Sequence, residues 1–394
     1  MSSVTALDWL IVGGGIHGTY LSHLLTKRGG VTPERVRVLD PQEHPLETFW
    51  RVTRATGMRY LRSPSVHNVD LHPYALRRFA KQAAGRRLAR FVPPYERPGL
   101  ELFRAHADKV IREHGLAALR ERCRATAITR LGRGYRVETD RGSIEARRVV
   151  LALGLGEQLC LPAWVRAASG DETIQHIFSS GFSREAIAAA RSVAIVGGGI
   201  SAAQLACALA AHGTEVTIVA RHAPRVHRFD SDPEWLGPLG MSRFARTGDP
   251  RERRRMILSG RHRGSMPSEV AGELRREIGR GRVKWIQAEP VAADPTPNGV
   301  RLRLDRDPNQ IEVASVVLAT GFQTHRPGGQ LLGAEAIDRL GLPCAECGYP
   351  LLSGGLEWAE GLFVSGALAE LELGPTARNI AGARAAGERL LVAA

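Results

Sequence analysis

Cysteine is scarce, at 5 in 394 residues and an odd number, which argues against a disulfide framework and fits a reducing compartment. Long apolar runs are missing as well. No stretch reaches the roughly eighteen residues a membrane-spanning helix needs, and the first residues run into an apolar strand without a basic region, apolar core and cleavage site. The expectation is a cytoplasmic protein with no membrane partner. Lysine stands only at 27, 81, 109 and 284, so the formal charge of +14 rests almost wholly on dispersed arginine. No zinc finger, aromatic RNA-binding signature or basic zipper goes with it, so nucleic acid is not an expected partner. The densest cluster, Arg251, Arg253, Arg254 and Arg255, reads as a solvated or anion-facing helix surface. Cys344 and Cys347 form a C-x-x-C pair in a loop, with no second pair for zinc and no helix behind it, so the pair reads as structural and no metal site is expected.

What the chain does have is glycine in a particular place. Trp9 to Val12 is an apolar, β-prone run, and Gly13, Gly15 and Gly18 follow in G-x-G-x-x-G spacing before a helical pattern at Thr19 to Arg28. Gly13 permits a sharp turn, Gly15 lets a pyrophosphate approach the backbone, and Gly18 lets the helix pack close to the strand. A second apolar strand, Val36 to Leu39, ends in Asp40, where a carboxylate can accept hydrogen bonds from a ribose. The stretch therefore reads as a dinucleotide site whose helix N-terminus faces the pyrophosphate.

Beyond Asp40 lies a long, irregular excursion rich in Pro, His and Arg, carrying Arg54, Arg62, Ser63 and His67. Ordered excursions of this kind often line a site. Leu100 to His114 is helical, with Leu100, Phe103, Ala107, Val110 and Ile111 on a core face. Short strands follow from Thr126, ending in RRVVLALG at Gly154, and Pro162, Gly170 and Gly181 mark a boundary region at 155–190.

Then the architecture recurs. Ser192 to Val196 is an apolar strand, Gly197 to Gly199 a turn, Ser201 to Ala211 a helix and Glu215 to Val219 a second strand, and SVVLATGF at 315–322 repeats the role of RRVVLALG. Where the first unit has Asp40, the second has Ala220, Arg221 and His222, with Arg225 and Arg228 nearby. A carboxylate would repel a 2′-phosphate and a guanidinium can grip it, so the second site is expected to prefer NADP(H). Leu362 to Ser365 is a further strand ending at Gly366, and a helix is expected from Gly374 and Pro375 to about Leu390, returning to the first unit.

VGGGIHG at 12–18, VGGGISAAQ at 196–204, LATGF at 318–322 and LGPTARNIAGAR at 373–384 together resemble flavoproteins with two dinucleotide-binding domains. Within that group the chain resembles the flavin-dependent monooxygenases, in particular the lysine and ornithine N-hydroxylases. The resemblance implies an α/β fold of two Rossmann-like domains, the second inserted into the first: an FAD domain at 1–165 plus 312–394 and an NADPH domain at 166–311, with an inserted helical segment at about 225–280. It implies Gly13, Gly15, Gly18 and Asp40 as contacts of FAD and Gly197, Gly199, Ser201 and Arg221 as contacts of NADPH; Ile16, His17, Arg54, Gly154, Thr320, Gly321 and Gly366 are further cofactor-binding candidates, and Thr376 and Asn379 are expected near the flavin pyrimidine edge or as caps of the last helix. His176, Arg62 and His67 are the candidates for the chemistry. The implied reaction reduces the flavin with NADPH and passes oxygen from a flavin hydroperoxide to a small amine-type nucleophile, so the partners are a small-molecule substrate and O2. An NADPH-dependent flavin reductase serving a quinone, disulfide or protein partner is the alternative enzyme, and a flavin-binding redox sensor the non-enzymatic one.

Overall fold

The computed structural model describes residues 7–167 and 173–393. Gly170 of the expected boundary lies outside the described residues. The first unit opens with strand β1 (Leu7–Val12), helix α1 (Ile16–Lys27) and strand β2 (Val36–Asp40). The excursion that follows folds into helix α2 (Glu47–Thr56), shorter helical turns, a two-stranded hairpin at 91–98 and helix α3 (Leu100–Glu113). Helix α3 buries Leu102, Phe103, His106, Ala107 and Val110, as its 3.6-residue apolar period requires. Strands β3 (Arg120–Arg122), β4 (Ala125–Leu131), β5 (Gly134–Thr139) and β6 (Gly142–Leu151) complete this part of the sheet.

The chain then crosses to the second unit. There it forms strand β7 (Ile174–His176), strand β8 (Ser192–Val196), helix α4 (Ile200–Ala211) and strand β9 (Glu215–Ala220). Within the insertion that follows are helices α5 (Pro250–Ser259) and α6 (Ser268–Gly279), the second leading into strand β10 (Val283–Gln287). An antiparallel meander of β11 (Pro290–Thr296), β12 (Gly299–Leu304) and β13 (Gln310–Val313) precedes β14 (Ser315–Leu318). The chain then recrosses to the first unit, where β15 (Glu357–Ala359), β16 (Leu362–Val364) and helix α7 (Ile380–Ala393) end it.

Two sheets result. The first has the order β15-β16-β6-β1-β2-β3, with β5 and then β4 added along the early part of β6. The second has the order β10-β9-β8-β14-β7 and is parallel throughout. Strands β1 and β8 occupy corresponding central places, each flanked by parallel partners. Their residues Trp9, Leu10, Ile11, Val193, Ala194 and Ile195 have no exposed surface, which is why both read as unbroken apolar runs rather than alternating ones.

Two sequence boundaries move. The first-unit segment was expected to resume at 312, but Ser315–Leu318 pairs with β8 and belongs to the second sheet. The return crossing therefore falls after Leu318. It runs beside the outgoing one, with Leu159 bridged to Phe322, Cys160 N–H donating to the Gly321 carbonyl at 2.9 Å and Gln323 N–H to the Gln158 carbonyl at 2.8 Å. The final helix starts at Ile380 rather than at Pro375, because Glu370–Leu373 forms a separate short turn of helix and 374–379 is a loop. Among the described residues no helix is long and apolar enough to cross a membrane, and no group of three His, Cys, Asp or Glu side chains is arranged to hold a metal.

Candidate cofactor and active site

Each unit presents the C-terminal ends of its central strands and the N-terminus of its first helix, where α/β folds place ligands. In the first unit Gly13 has φ +111°, and a Cβ there would lie 2.4 Å from the Ala152 carbonyl oxygen. Gly197 in the second has φ +137° and the same 2.4 Å approach to the Ala319 carbonyl. Both turns thus need glycine because the carbonyl that follows the closing strand lies directly against them.

The first cradle fits a pyrophosphate. Gly15 is the N-cap of α1, no side chain caps that helix, and nothing lies within 4 Å of where a Gly15 Cβ would be. Gly18 is needed for packing, since a Cβ would come 1.8 Å from the Gly13 carbonyl oxygen. At the strand end, Asp40 Oδ2 accepts from Gly14 N–H at 2.6 Å and Oδ1 from Gln42 N–H at 2.9 Å. A carboxylate offers about four lone-pair sites, so acceptor capacity remains for ribose hydroxyls. Arg120, not singled out from the sequence, is buried against this carboxylate, with Nη2 3.5 Å from Asp40 Oδ1 and 2.9 Å from the Gln42 carbonyl. Its position follows from β3 lying beside β2, a pairing no sequence motif announces.

His17 is the other distinctive group. Its Nδ1 lies 2.8 Å from Ser365 Oγ, just past β16, and Nε2 is buried with no partner in the protein. Burial pushes its pKa down to about 4, against the opposing pull of backbone at Arg378 and Asn379. The ring packs against Gly366, which has φ +68°, and a neutral imidazole with one buried nitrogen lacking a partner has hydrogen-bonding capacity that a cofactor could satisfy. Ile16 packs beside it against the core, Thr376 is buried, and Asn379 donates to both oxygens of Asp230 at 3.2 Å.

The second cradle differs in detail. Gly199 is again an N-cap without a side-chain cap, but a Cβ there would lie 3.3 Å from the Cα of Gly264. The loop at 261–266 therefore lies over it. Arg221, at the end of β9, is exposed, while His222 packs near Gly198 and Gly264. Ser201 lies in the first turn of α4.

The remaining candidates fall in distinct places. His176 ends β7 at the edge of the second sheet; its Nδ1 accepts from Phe178 N–H at 3.1 Å, and Nε2 is orphaned. Burial lowers its pKa to about 4, opposed by backbone at Gly321, so it is neutral near pH 7. Arg62 was a candidate for the chemistry, but its guanidinium is engaged with the second unit: it donates to the carbonyls of His227 at 2.8 Å and Phe229 at 2.7 Å and to Ser265 Oγ at 2.8 Å. Desolvation lowers its pKa to about 10. It is a clamp between units. His67 sits in a turn whose carbonyls at 68, 70 and 71 are bound by Arg384 of α7, and burial brings its pKa to about 4. Arg54 is exposed in the last turn of α2, and Gly154 is exposed after β6. Thr320 donates to the Cys160 carbonyl at 2.5 Å, and Gly321 has φ +77°, so both belong to the crossing between units.

The feature least legible in the sequence is Glu370. It has no exposed surface, and three guanidiniums surround it: Arg254 at 2.9 Å, Arg261 at 2.7 Å and Arg378 at 2.5 Å. Burial alone would raise its pKa, but Arg261, Arg378 and Arg254 outweigh that and hold it below the usual range. Arg261 also donates to the Pro375 carbonyl at 2.9 Å, and Arg253 pairs with Glu372. The arginine cluster on α5 is thus only half solvated, because Arg253 and Arg254 turn inward while Arg251 and Arg255 stay exposed. Cys344 and Cys347 are both free, and Arg326 lies 3.5 Å from Cys344 Sγ.

A family model for FAD-NAD(P)-binding proteins matches residues 10–156, and one for pyridine nucleotide-disulphide oxidoreductases matches residues 96–258. Each model matches less than half of the chain, and with the two cradles they support two dinucleotide-binding domains suited to FAD and a nicotinamide dinucleotide. Solved structures of this fold include the ornithine hydroxylase of Pseudomonas aeruginosa, 18% identical over 99% of this chain and 98% of that one, at a TM-score of 0.76. The ornithine N-hydroxylase of Kutzneria sp. 744, solved with reduced FAD, NADP+ and L-ornithine, is 15% identical over 98% of each chain, at a TM-score of 0.77. The bacillithiol disulfide reductase of Bacillus cereus, 17% identical over 99% of this chain and 98% of that one, has a TM-score of 0.61. No curated protein matches the sequence.

Proposed function

We propose that the protein is an NADPH- and FAD-dependent monooxygenase that hydroxylates a small amine-type substrate. The observation that carries this reading is the buried network around Glu370. It ties the insertion of the second unit to the 370–379 segment of the first, whose residues 378 and 379 lie beside His17; we infer that this keeps water from the flavin. Exclusion of water there is what oxygen transfer needs and simple electron transfer does not.

FAD held in the first cradle would supply the redox chemistry, taking reducing equivalents from NADPH and using O2 so that one oxygen atom is transferred to the amine and the other is released as water. The chain's own groups bind and orient. Gly13, Gly15 and Gly18 would open the first cradle to the FAD pyrophosphate, Asp40 would accept from its ribose, and His17, its ring fixed by Ser365, would offer Nε2 to the cofactor. Gly197, Gly199 and Ser201 would receive the NADPH pyrophosphate, and Arg221 would grip its 2′-phosphate. The amine reading draws on the two similar proteins that act on ornithine.

A second reading, an NADPH-dependent disulfide reductase, is favoured by the oxidoreductase family model and by the likeness to the Bacillus cereus enzyme. It needs a thiol against the flavin, and the contacts of His17, Gly366 and Asn379 include none of the five free cysteines. The deciding experiment is NADPH oxidation by the yellow holoprotein with a panel of diamines and basic amino acids, with the hydroxylated amine quantified. Stoichiometric hydroxylamine supports monooxygenation. NADPH oxidation stimulated only by a disulfide or quinone refutes it.

A further inference from the structure

A cleft of about 380 Å³ is lined by Val92, Pro93, Arg97, Arg228, Glu269 and Arg276 together with Ser268 and Gly272. One wall is the hairpin of the first unit's excursion and the other is helix α6 of the second. None of its lining residues belongs to either glycine turn or to the loop at 370–379. Its size is that of a small-molecule site.

The charge in the cleft is unbalanced. Arg97, Arg228 and Arg276 face a single carboxylate, Glu269, which leaves a surplus of two positive charges. Arg97 is 3% exposed and spends its pairing on Glu269. Arg228 and Arg276 have no carboxylate partner among the described residues. Arg228 is nevertheless held in place: its guanidinium lies 5.3 Å from the centre of the Tyr95 ring, and Tyr95 packs edge-on against Phe229 at 5.1 Å. Stacking pre-sets the planar fork, so little freedom remains to be lost when an anion arrives. The first turn of α6 has Pro267 as its N-cap and no side-chain cap, which adds backbone donors to the same wall. Val92 and Pro93 give the opposite wall an apolar face.

We propose that this cleft binds a small phosphate monoester, its phosphoryl group between Arg228 and Arg276 and its organic part against Val92 and Pro93. A phosphoryl dianion neutralises the surplus of two and offers three acceptor oxygens to forked donors. Binding would brace the hairpin against α6, a seam already joined by Arg97–Glu269 and Arg59–Glu273.

The test is calorimetric titration of the full chain with phenyl phosphate, alone and with NADP+ at saturation, repeated with benzoate and with the Arg228→Ala/Arg276→Ala variant. Both arginines are exposed, and flavin content with thermal unfolding verifies that the variant folds. The expected result is saturable binding that survives NADP+, exceeds that of benzoate and weakens at least about tenfold in the variant. Four results overturn the proposal: no saturation at millimolar ester, abolition by NADP+, equal binding of benzoate, or unchanged affinity in the variant.

Discussion

The two cradles share a backbone and differ in what surrounds it. At both glycine turns an added Cβ would lie 2.4 Å from a carbonyl oxygen, that of Ala152 in the first and of Ala319 in the second. Yet Gly15 opens onto free space and Gly199 lies under Gly264, and a carboxylate ends β2 where an exposed arginine follows β9. An open cradle with a buried acceptor suits a cofactor that stays. A covered one with an exposed cation suits a cofactor that enters and leaves.

The largest expected effects come from breaking each turn in turn. Gly13→Val forces a side chain at φ +111° into the Ala152 carbonyl and should give colourless protein without FAD. Gly197→Val meets the same obstacle at Ala319, so the protein should stay yellow but no longer be reduced by NADPH. Absorbance of purified protein and anaerobic reduction read both. Next, Glu370→Gln leaves three guanidiniums around a neutral amide. Breaking one side of a buried ion pair costs about 3–5 kcal/mol, measurable by denaturant unfolding of the holoprotein.

His17 and His176, one in each unit, both have pKa lowered from 6.5 to about 4 by burial, as do His23, His67 and His106 in the first unit. The unfolded chain binds protons that the folded one refuses. Their stabilisation is therefore full above pH 6.5 and is lost as pH falls through that value towards 4, with a slope of up to about 1.4 kcal/mol per pH unit for each. Urea titrations across that window should show the loss, and His17→Gln should reduce the slope by one histidine's share and leave the rest.

Smaller effects sharpen the contrast. Arg221→Ala should raise the KM for NADPH about tenfold while leaving that for NADH nearly unchanged; equal changes would remove the 2′-phosphate role. Ser365→Ala frees the His17 ring and should weaken FAD binding by about 1 kcal/mol, seen in the recovery of flavin fluorescence on dilution.

The units themselves were legible because each rests on local signals: an unbroken apolar strand, glycines at fixed spacing and an acidic or basic residue after the second strand. Gly13, Gly197, Asp40 and Arg221 lie at the turns and strand ends that those signals predict. Arg120 and Glu370 could not, since each acquires its place only when distant segments pair, β3 against β2 and α5 against the 370–373 turn. Arg62 was visible as an unusual residue in a long excursion, but its partners are main-chain carbonyls 165–167 residues away, which carry no sequence signature. The helix start misplaced at Pro375 has a related cause: Gly374 and Pro375 do mark a break, but the loop they open is held by Arg261 and by the Asn379–Asp230 contact before Ile380 begins the helix.

The central claim is that electrons pass from the second cradle through the first to oxygen and an amine. Stopped-flow mixing of NADPH-reduced protein with O2 tests it most directly. Monooxygenation should give an absorbance transient distinct from reduced and oxidised flavin, followed by one hydroxylated amine for each NADPH consumed. Prompt return to oxidised flavin in a single phase, with hydrogen peroxide as the product for every amine tried, would contradict it.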